Sequence, residues 1–210
     1  MAADGIRPRS ATLLKSRLLD VHRSEFAAGI DWAATDPGLE AAAARITAAR
    51  RRFVIGAATS FNYASLLAAK LSAALAKVTL IDGTIVRPLD ILSDVHSNDV
   101  LIALSFRPYR RYTIDAAVPF VHAGGELVVL TDSDDAPLNR WAAASVVIGG
   151  QQQPPEFADQ LHPETPDASP VVVAMVIDIL TALSGASAKG AGRRLAARER
   201  LATELGLFLD

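Results

Sequence analysis

From Arg52 to Ile148 the apolar residues of this chain follow two alternating rhythms. Arg52-Phe-Val-Ile55 is a short apolar run that stops at Gly56. Ser60–Leu75 follows, with Leu66, Leu67, Lys70, Leu71 and Leu75 spaced by threes and fours, the period of a helix. Lys77-Val-Thr-Leu-Ile81 predicts a second strand and Asp99-Val-Leu-Ile-Ala-Leu104 a third. Arg110–His122 reads as a helix, stopped by Gly124-Gly125 as a glycine just past a helix end stops one. Glu126-Leu-Val-Val-Leu130 and Ala144-Ser-Val-Val-Ile148 predict the fourth and fifth strands.

Strands that are apolar on both faces and separated by helices belong to a parallel sheet covered on both sides. With right-handed crossovers, the expected fold is α/β: three layers, α/β/α, on a five-stranded doubly wound parallel sheet. Ahead of the first strand, residues 10–50 read as helical. Leu13, Leu14, Leu18, Val21 and Phe26 make one stripe, and Asp36-Pro37 opens a second helix as N-cap and first residue. After a Gln/Pro-rich loop at 149–167, Val171–Leu183 predicts a buried helix. Ser184–Gly192 reads as a linker, and Arg193–Leu205 as a charged helix. The domain organisation is thus a helical segment at 1–50, a core at 51–184 and a C-terminal helix at 185–210.

Composition narrows the chemistry. The chain has 210 residues, half of them apolar, which is the composition of a globular domain. It has no cysteine, so disulfides, thiolate nucleophiles and cysteine metal sites are excluded. Net charge is −2, from 21 basic and 23 acidic side chains, without the basic excess of a nucleic-acid-binding domain. Met1–Arg9 is polar and lacks the apolar stretch of a signal peptide. The longest apolar run, Val171–Leu183, is interrupted by Asp178 and is shorter than a membrane span. The expected setting is the cytoplasm, with no membrane partner.

In an open parallel sheet, ligands bind outside the carboxyl ends of the strands, near the point where strand order reverses. After the first strand, Gly56-Ala-Ala-Thr59-Ser60 leads directly into a helix. Small residues let the backbone approach a ligand, and the hydroxyls stand beside unpaired N–H groups at the helix start, a geometry that suits an anion. Thr59 or Ser60 as a simple N-cap is the other reading. After the third strand, Ser105-Phe-Arg-Pro-Tyr-Arg-Arg-Tyr-Thr113 offers Ser105 and Thr113 hydroxyls and the forked donors of Arg107, Arg110 and Arg111, which match phosphate. Arg107 and Arg111 are preferred over Arg110. After the fourth strand, Asp132 either caps the turn before Pro137 or orients a ligand hydroxyl. No phosphate-loop lysine, complete dinucleotide fingerprint, hydrolase elbow or metal spacing among the four histidines is present, so no cofactor or metal is expected.

Three stretches resemble the sugar isomerase (SIS) domain, especially that of RpiR-type transcriptional regulators. Phe53-Val-Ile-Gly-Ala-Ala-Thr-Ser-Phe-Asn-Tyr-Ala-Ser-Leu-Leu-Ala-Ala-Lys-Leu71 is similar to the first phosphate loop and its helix. Asn98–Thr113 is similar to the second loop. Gly124–Leu138 with Trp141–Ile148 resembles the fourth strand, its turn and the fifth strand. The tail, Arg194–Leu201, is similar to the final helix of that family. The resemblance implies a flavodoxin-like sheet, a homodimer or homotetramer, and a sugar phosphate held by hydroxyls, with Ser60, Ser105 and Thr113 at matching positions. Gly56, Thr59, Arg107 and Arg111 complete the expected ligand-binding set. Ala58 departs from the usual second glycine, and an arginine-bearing loop replaces the commoner Ser-x-Ser-Gly-x-Thr. The regulators of that family carry a helix-turn-helix domain, and no such motif is read ahead of the first strand, so any DNA contact is expected through a domain absent from this chain.

Three functions are weighed: an effector sensor, an aldose–ketose sugar-phosphate isomerase, and a scaffold that dimerises through its outer helices and binds nothing, against which the arginine-rich loop argues. The isomerase needs a general base, with His96, His122, Glu126 and Glu164 as candidates, none placed by the sequence in an assigned site loop. That favours the sensor.

Overall fold

The computed structural model describes residues 8–149 and 168–208. Five strands, β1 (Arg51–Gly56), β2 (Val78–Leu80), β3 (Asp99–Leu104), β4 (Glu126–Thr131) and β5 (Ala144–Val147), pair in parallel in the order β2-β1-β3-β4-β5. This is the expected doubly wound sheet, and its order reverses between β1 and β3.

Alternation along each buried strand sends residues to two separate cores. Val54, Val100, Ile102, Leu104, Val128, Leu130 and Val146 face α2 (Gly38–Ala48), α3 (Thr59–Ala74) and α6 (Pro170–Ser187). Phe53, Ile55, Leu101, Ala103, Leu127 and Val129 face α5 (Arg111–His122) and the connections on that side. Two short elements that the periodicity does not reveal, α4 (Pro88–Leu92) and a 3₁₀ turn at Asn139–Trp141, complete this second layer. Each has too few residues to display a period.

The glycine stop after α5 has the predicted form. Gly124 takes a left-handed φ of 98°, its N–H bonds to Val121 O, and the Gly125 N–H reaches Phe120 O at 3.1 Å. At the second helix the prediction is off by one position. Asp36 Oδ1 accepts the Leu39 N–H at 3.1 Å, but Pro37 occupies the cap position and the helix begins at Gly38. The linker expected at Ser184–Gly192 is also shorter. The α6 helix continues to Ser187, with Ser184 still fully buried, and α7 (Ala191–Glu204) begins after three intervening residues. By length and composition α6 could cross a membrane. Here Val172, Val173, Val176, Ile177 and Leu180 pack into the first core, and Asp178 pairs with Lys70 on α3.

The 26-residue α1 (Pro8–Ala33) meets the body near its C-terminal end, where Gly29 lies against Val172 and Ser169 donates to Glu25 at 2.7 Å. The stripe expected at 13–26 is therefore not buried as one face. Leu13 and Phe26 are exposed, and Leu14, Leu18 and Val21 are half-buried outside both cores.

Two arginines at the start of β1 explain one basic cluster structurally. Arg52, buried, donates from Nε to Ile46 O at 2.6 Å and from its terminal nitrogens to Thr47 O and Ala76 O. It thereby satisfies carbonyls at the ends of α2 and α3. Arg51 holds the fully buried Asp99 side chain with two bonds, at 3.0 and 2.6 Å, and also reaches Asp94 and His96. Burial works against the ionised form of Asp99. The Arg51 bonds and the His96 N–H outweigh it and keep the carboxyl below the ordinary aspartate range.

A depressed folded value means that the carboxylate stabilises the fold at neutral pH. That contribution is lost as pH falls from the ordinary aspartate range through the folded value. Asp99→Ala is expected to cost about 3 kcal/mol at pH 7, since it removes the acceptor of two Arg51 bonds and of the His96 N–H, although Arg51 keeps Asp94. Urea unfolding at pH 7, 5 and 3 should show the difference between variant and parent shrinking toward the acid end.

Candidate functional site

Gly56 and Leu104 are register partners at the carboxyl ends of β1 and β3, so the two loops leave the sheet side by side. Each enters a helix almost at once, α3 at Thr59 and α5 at Arg111. Two helix N-termini, each the positive end of its dipole, thus flank the reversal point.

In the first loop, Gly56 serves close packing. A Cβ there would stand 2.6 Å from the Ser60 carbonyl, so only glycine lets α3 begin so near the strand. The Ser60 N–H bonds to Ala57 O at 3.1 Å, closing a turn around Ala58 at φ 52°, ψ −126°. Those angles belong to the first central position of a type II′ turn, which glycine normally fills. The backbone therefore keeps a glycine conformation although the sequence departs to alanine, at a strain of about 1–3 kcal/mol. No side-chain cap bond from the residue preceding α3 is formed, Thr59 is exposed and Ser60 is buried.

In the second loop, Ser105 is 4% exposed, and its Oγ has no hydrogen-bond partner. Its backbone is fixed, since the Ser105 N–H bonds to Leu130 O at 2.9 Å. The next residue, Phe106, is buried edge-on against Tyr63 of α3, at 6.2 Å between ring centres. Thr113, in the first turn of α5, is buried as well. Arg111 is exposed at the start of that helix and Arg110 is half-buried just before it.

Arg107 lies elsewhere than the sequence alone would place it. Its guanidinium leans toward the loop after β4, pairing with Asp135 at 3.2 Å and sitting 6.0 Å from the centre of the Tyr109 ring. Asp135 is held below the ordinary aspartate range by the Ser133 hydroxyl and by Arg107. Asp132 neither caps the turn before Pro137 nor stands open to a ligand. It is 3% exposed, and it accepts the Arg107 N–H at 3.0 Å and the Tyr109 O–H at 3.0 Å. Burial and the Asp132 carboxylate push the Tyr109 hydroxyl above its usual value. A carboxylate two positions past the apolar run Leu127–Leu130 is the one sequence sign of this clamp. Its partners, 23 and 25 residues earlier, have none.

The candidate bases stand at the other end of the sheet. His96 sits with Arg51 and Asp99 at the start of β3, and Glu126 opens β4 and pairs with Arg45. His122 ends α5, edge-on to Trp141 at 5.0 Å. Glu164 lies outside the described residues.

Comparison with known proteins bears on the fold. Residues 45–154 match the SIS domain family. This chain belongs to the SIS domain family. Among solved structures, it is similar to the sugar isomerase domain of an RpiR transcription factor from Sphaerobacter thermophilus. That match has a TM-score of 0.73 and 21% identity, over 91% of this chain and 98% of the other. It is also similar to the Vibrio vulnificus NanR protein complexed with ManNAc-6P, with a TM-score of 0.72 and 19% identity over 94% and 74%. A Methanococcus jannaschii protein, whose structure infers a 3-hexulose-6-phosphate isomerase function, has a TM-score of 0.64 and 13% identity over 87% and 97%. None of the curated proteins compared with the chain matches it. In this SIS domain the first loop thus retains its turn without the second glycine.

Ala58→Gly is expected to relieve the turn and stabilise the domain by about 1 kcal/mol after the entropy that glycine adds to the unfolded chain. For a domain of this size that is a rise in Tm of roughly 2–4 °C by thermal unfolding. A fall in Tm would show that the turn is not strained.

Proposed function

We propose that this chain binds a sugar phosphate between the loops after β1 and β3, and that it is the effector-sensing part of an RpiR-type transcriptional regulator. The observation that carries this reading is the buried, unpartnered Ser105 Oγ beside two helix N-termini. A buried hydroxyl without a partner costs about 1–3 kcal/mol, and a ligand oxygen at that point would recover it. Gly56, Thr59, Ser60, Ser105, Arg107, Arg111 and Thr113 form the proposed ligand set. Two proteins to which the fold is similar support it, the sugar isomerase domain of an RpiR transcription factor and the NanR protein complexed with ManNAc-6P.

Among the described residues, the isomerase reading finds none of its candidate bases at the site. His96, His122 and Glu126 all stand away from the carboxyl ends of the strands, where they cannot move a proton on a sugar held there. Sensing is therefore the better account. In that role the protein works in the cytoplasm, and DNA is contacted by a separate helix-turn-helix domain. The exposed Leu13, Leu19, Phe26 and Ile30 of α1 and Leu195, Leu201 and Leu205 along α7 and its end support a homo-oligomer. Light scattering should give a mass of at least two chains, reduced by Leu13→Glu with Leu19→Glu.

Thermal unfolding against phosphorylated sugars, each beside its unphosphorylated parent, tests the ligand. At a hundredfold excess over Kd the phosphate form should add about 2.7 kcal/mol and raise Tm by several degrees, with no shift from the parent sugar. Ser105→Ala should leave the unliganded Tm unchanged or higher, because no bond is lost. It should weaken the ligand roughly tenfold or more, as losing a hydrogen bond to a charged group does. A panel without any shift would remove this function and leave the fold.

A further inference from the structure

The two acidic residues around Arg107 have different burial and different partners, and neither belongs to the ligand set. Asp132 is buried and grips the main chain of the second loop at the Arg107 N–H, with a second hold on Tyr109. Asp135 grips the Arg107 side chain, in a pair whose members are 45% and 81% exposed. The first contact is shielded from water and fixes where the arginine leaves the chain. The second is open to water, of a type worth about 0–1 kcal/mol, and is easily given up. We infer that Arg107 is a switched ligand group, parked on the Asp135 carboxylate in the empty protein and transferred to the ligand's phosphate on binding. This deepens the sugar-phosphate reading of the site and rests on it.

The exchange favours phosphate. A phosphate at neutral pH carries more charge than a carboxylate and offers a guanidinium the same two-pronged geometry. The anchor at Asp132 holds the Arg107 backbone while the guanidinium turns, so transfer needs side-chain rotation only. It also releases Asp135 from the arginine, while the Ser133 hydroxyl still donates to it. Asp135 is thus an internal competitor that sets the ligand concentration at which the site fills. It is a positioning residue, acting through Arg107 and touching no ligand.

The test is a double-mutant cycle with ManNAc-6P and inorganic phosphate as probes, followed by calorimetry. Asp135→Asn should tighten binding about two- to fivefold, the worth of the exposed pair. Arg107→Ala should weaken it, and Asp135→Asn should then have no further effect in the Arg107→Ala background. Equal tightening in both backgrounds would mark plain charge repulsion and overturn the exchange, as would an Asp135→Asn variant with parental affinity. Ser105→Ala separates the two layers of the argument. If it weakens the probes while Asp135→Asn changes nothing, the site stands and the switch falls. If neither probe binds the parent protein, or Ser105→Ala binds as well as the parent, site and switch fall together.

Discussion

The six-residue parallel ladder between β1 and β3, running from Arg51 opposite Asp99 to Gly56 opposite Leu104, determines where everything else can go. Its register places two loops side by side at one end and an arginine opposite an aspartate at the other. Because side chains alternate across each strand, shifting this ladder by one residue would exchange the two cores and uncouple the loops. The arginine–aspartate pair closes the amino-terminal end, so that edge is committed to structure. The edge at Gly56 and Leu104 is left with helix starts, hydroxyls and a strained turn.

That division also separates the histidines from the chemistry. His96 is absorbed into the Arg51–Asp99 arrangement and His122 into an aromatic contact with Trp141. His96 and Glu126 thus stand at the amino-terminal end of the sheet, while the hydroxyls of Ser60, Ser105 and Thr113 belong to the loops and helix starts at its carboxyl end. The fold alone, shared by the sugar isomerase domain of an RpiR transcription factor and by a protein with inferred isomerase function, does not separate the two roles.

Most of the scaffold was legible in the sequence because its strands are buried on both faces and its long helices have enough turns to show their spacing. Ser60, Ser105 and Thr113 were legible for the same reason, each standing at a fixed offset from a readable strand end. What escaped was short or long-range. The α4 helix has only five residues, and the Asp132 clamp joins two loops through contacts 23 and 25 positions apart. The direction taken by Arg107 depends on the same contacts, so a reading that counted three arginines beside a serine could not tell which faced the neighbouring loop. At Ala58 the sequence suggested a lost glycine, but the turn persists because the Ser60 N–H and the start of α3 enforce it.

The attachment of α1 has a mechanical consequence. Its contact with Val172 falls at Gly29, close to one end of a 26-residue helix, and Leu13 lies 16 residues away. At the rise of a helix that is an arm of about 24 Å, so a tilt of about ten degrees at the Gly29 pivot carries the far end through roughly 4 Å. A shift too small to disturb the packing at Val172 would thus be delivered, enlarged, to whatever rests on the other end of the lever.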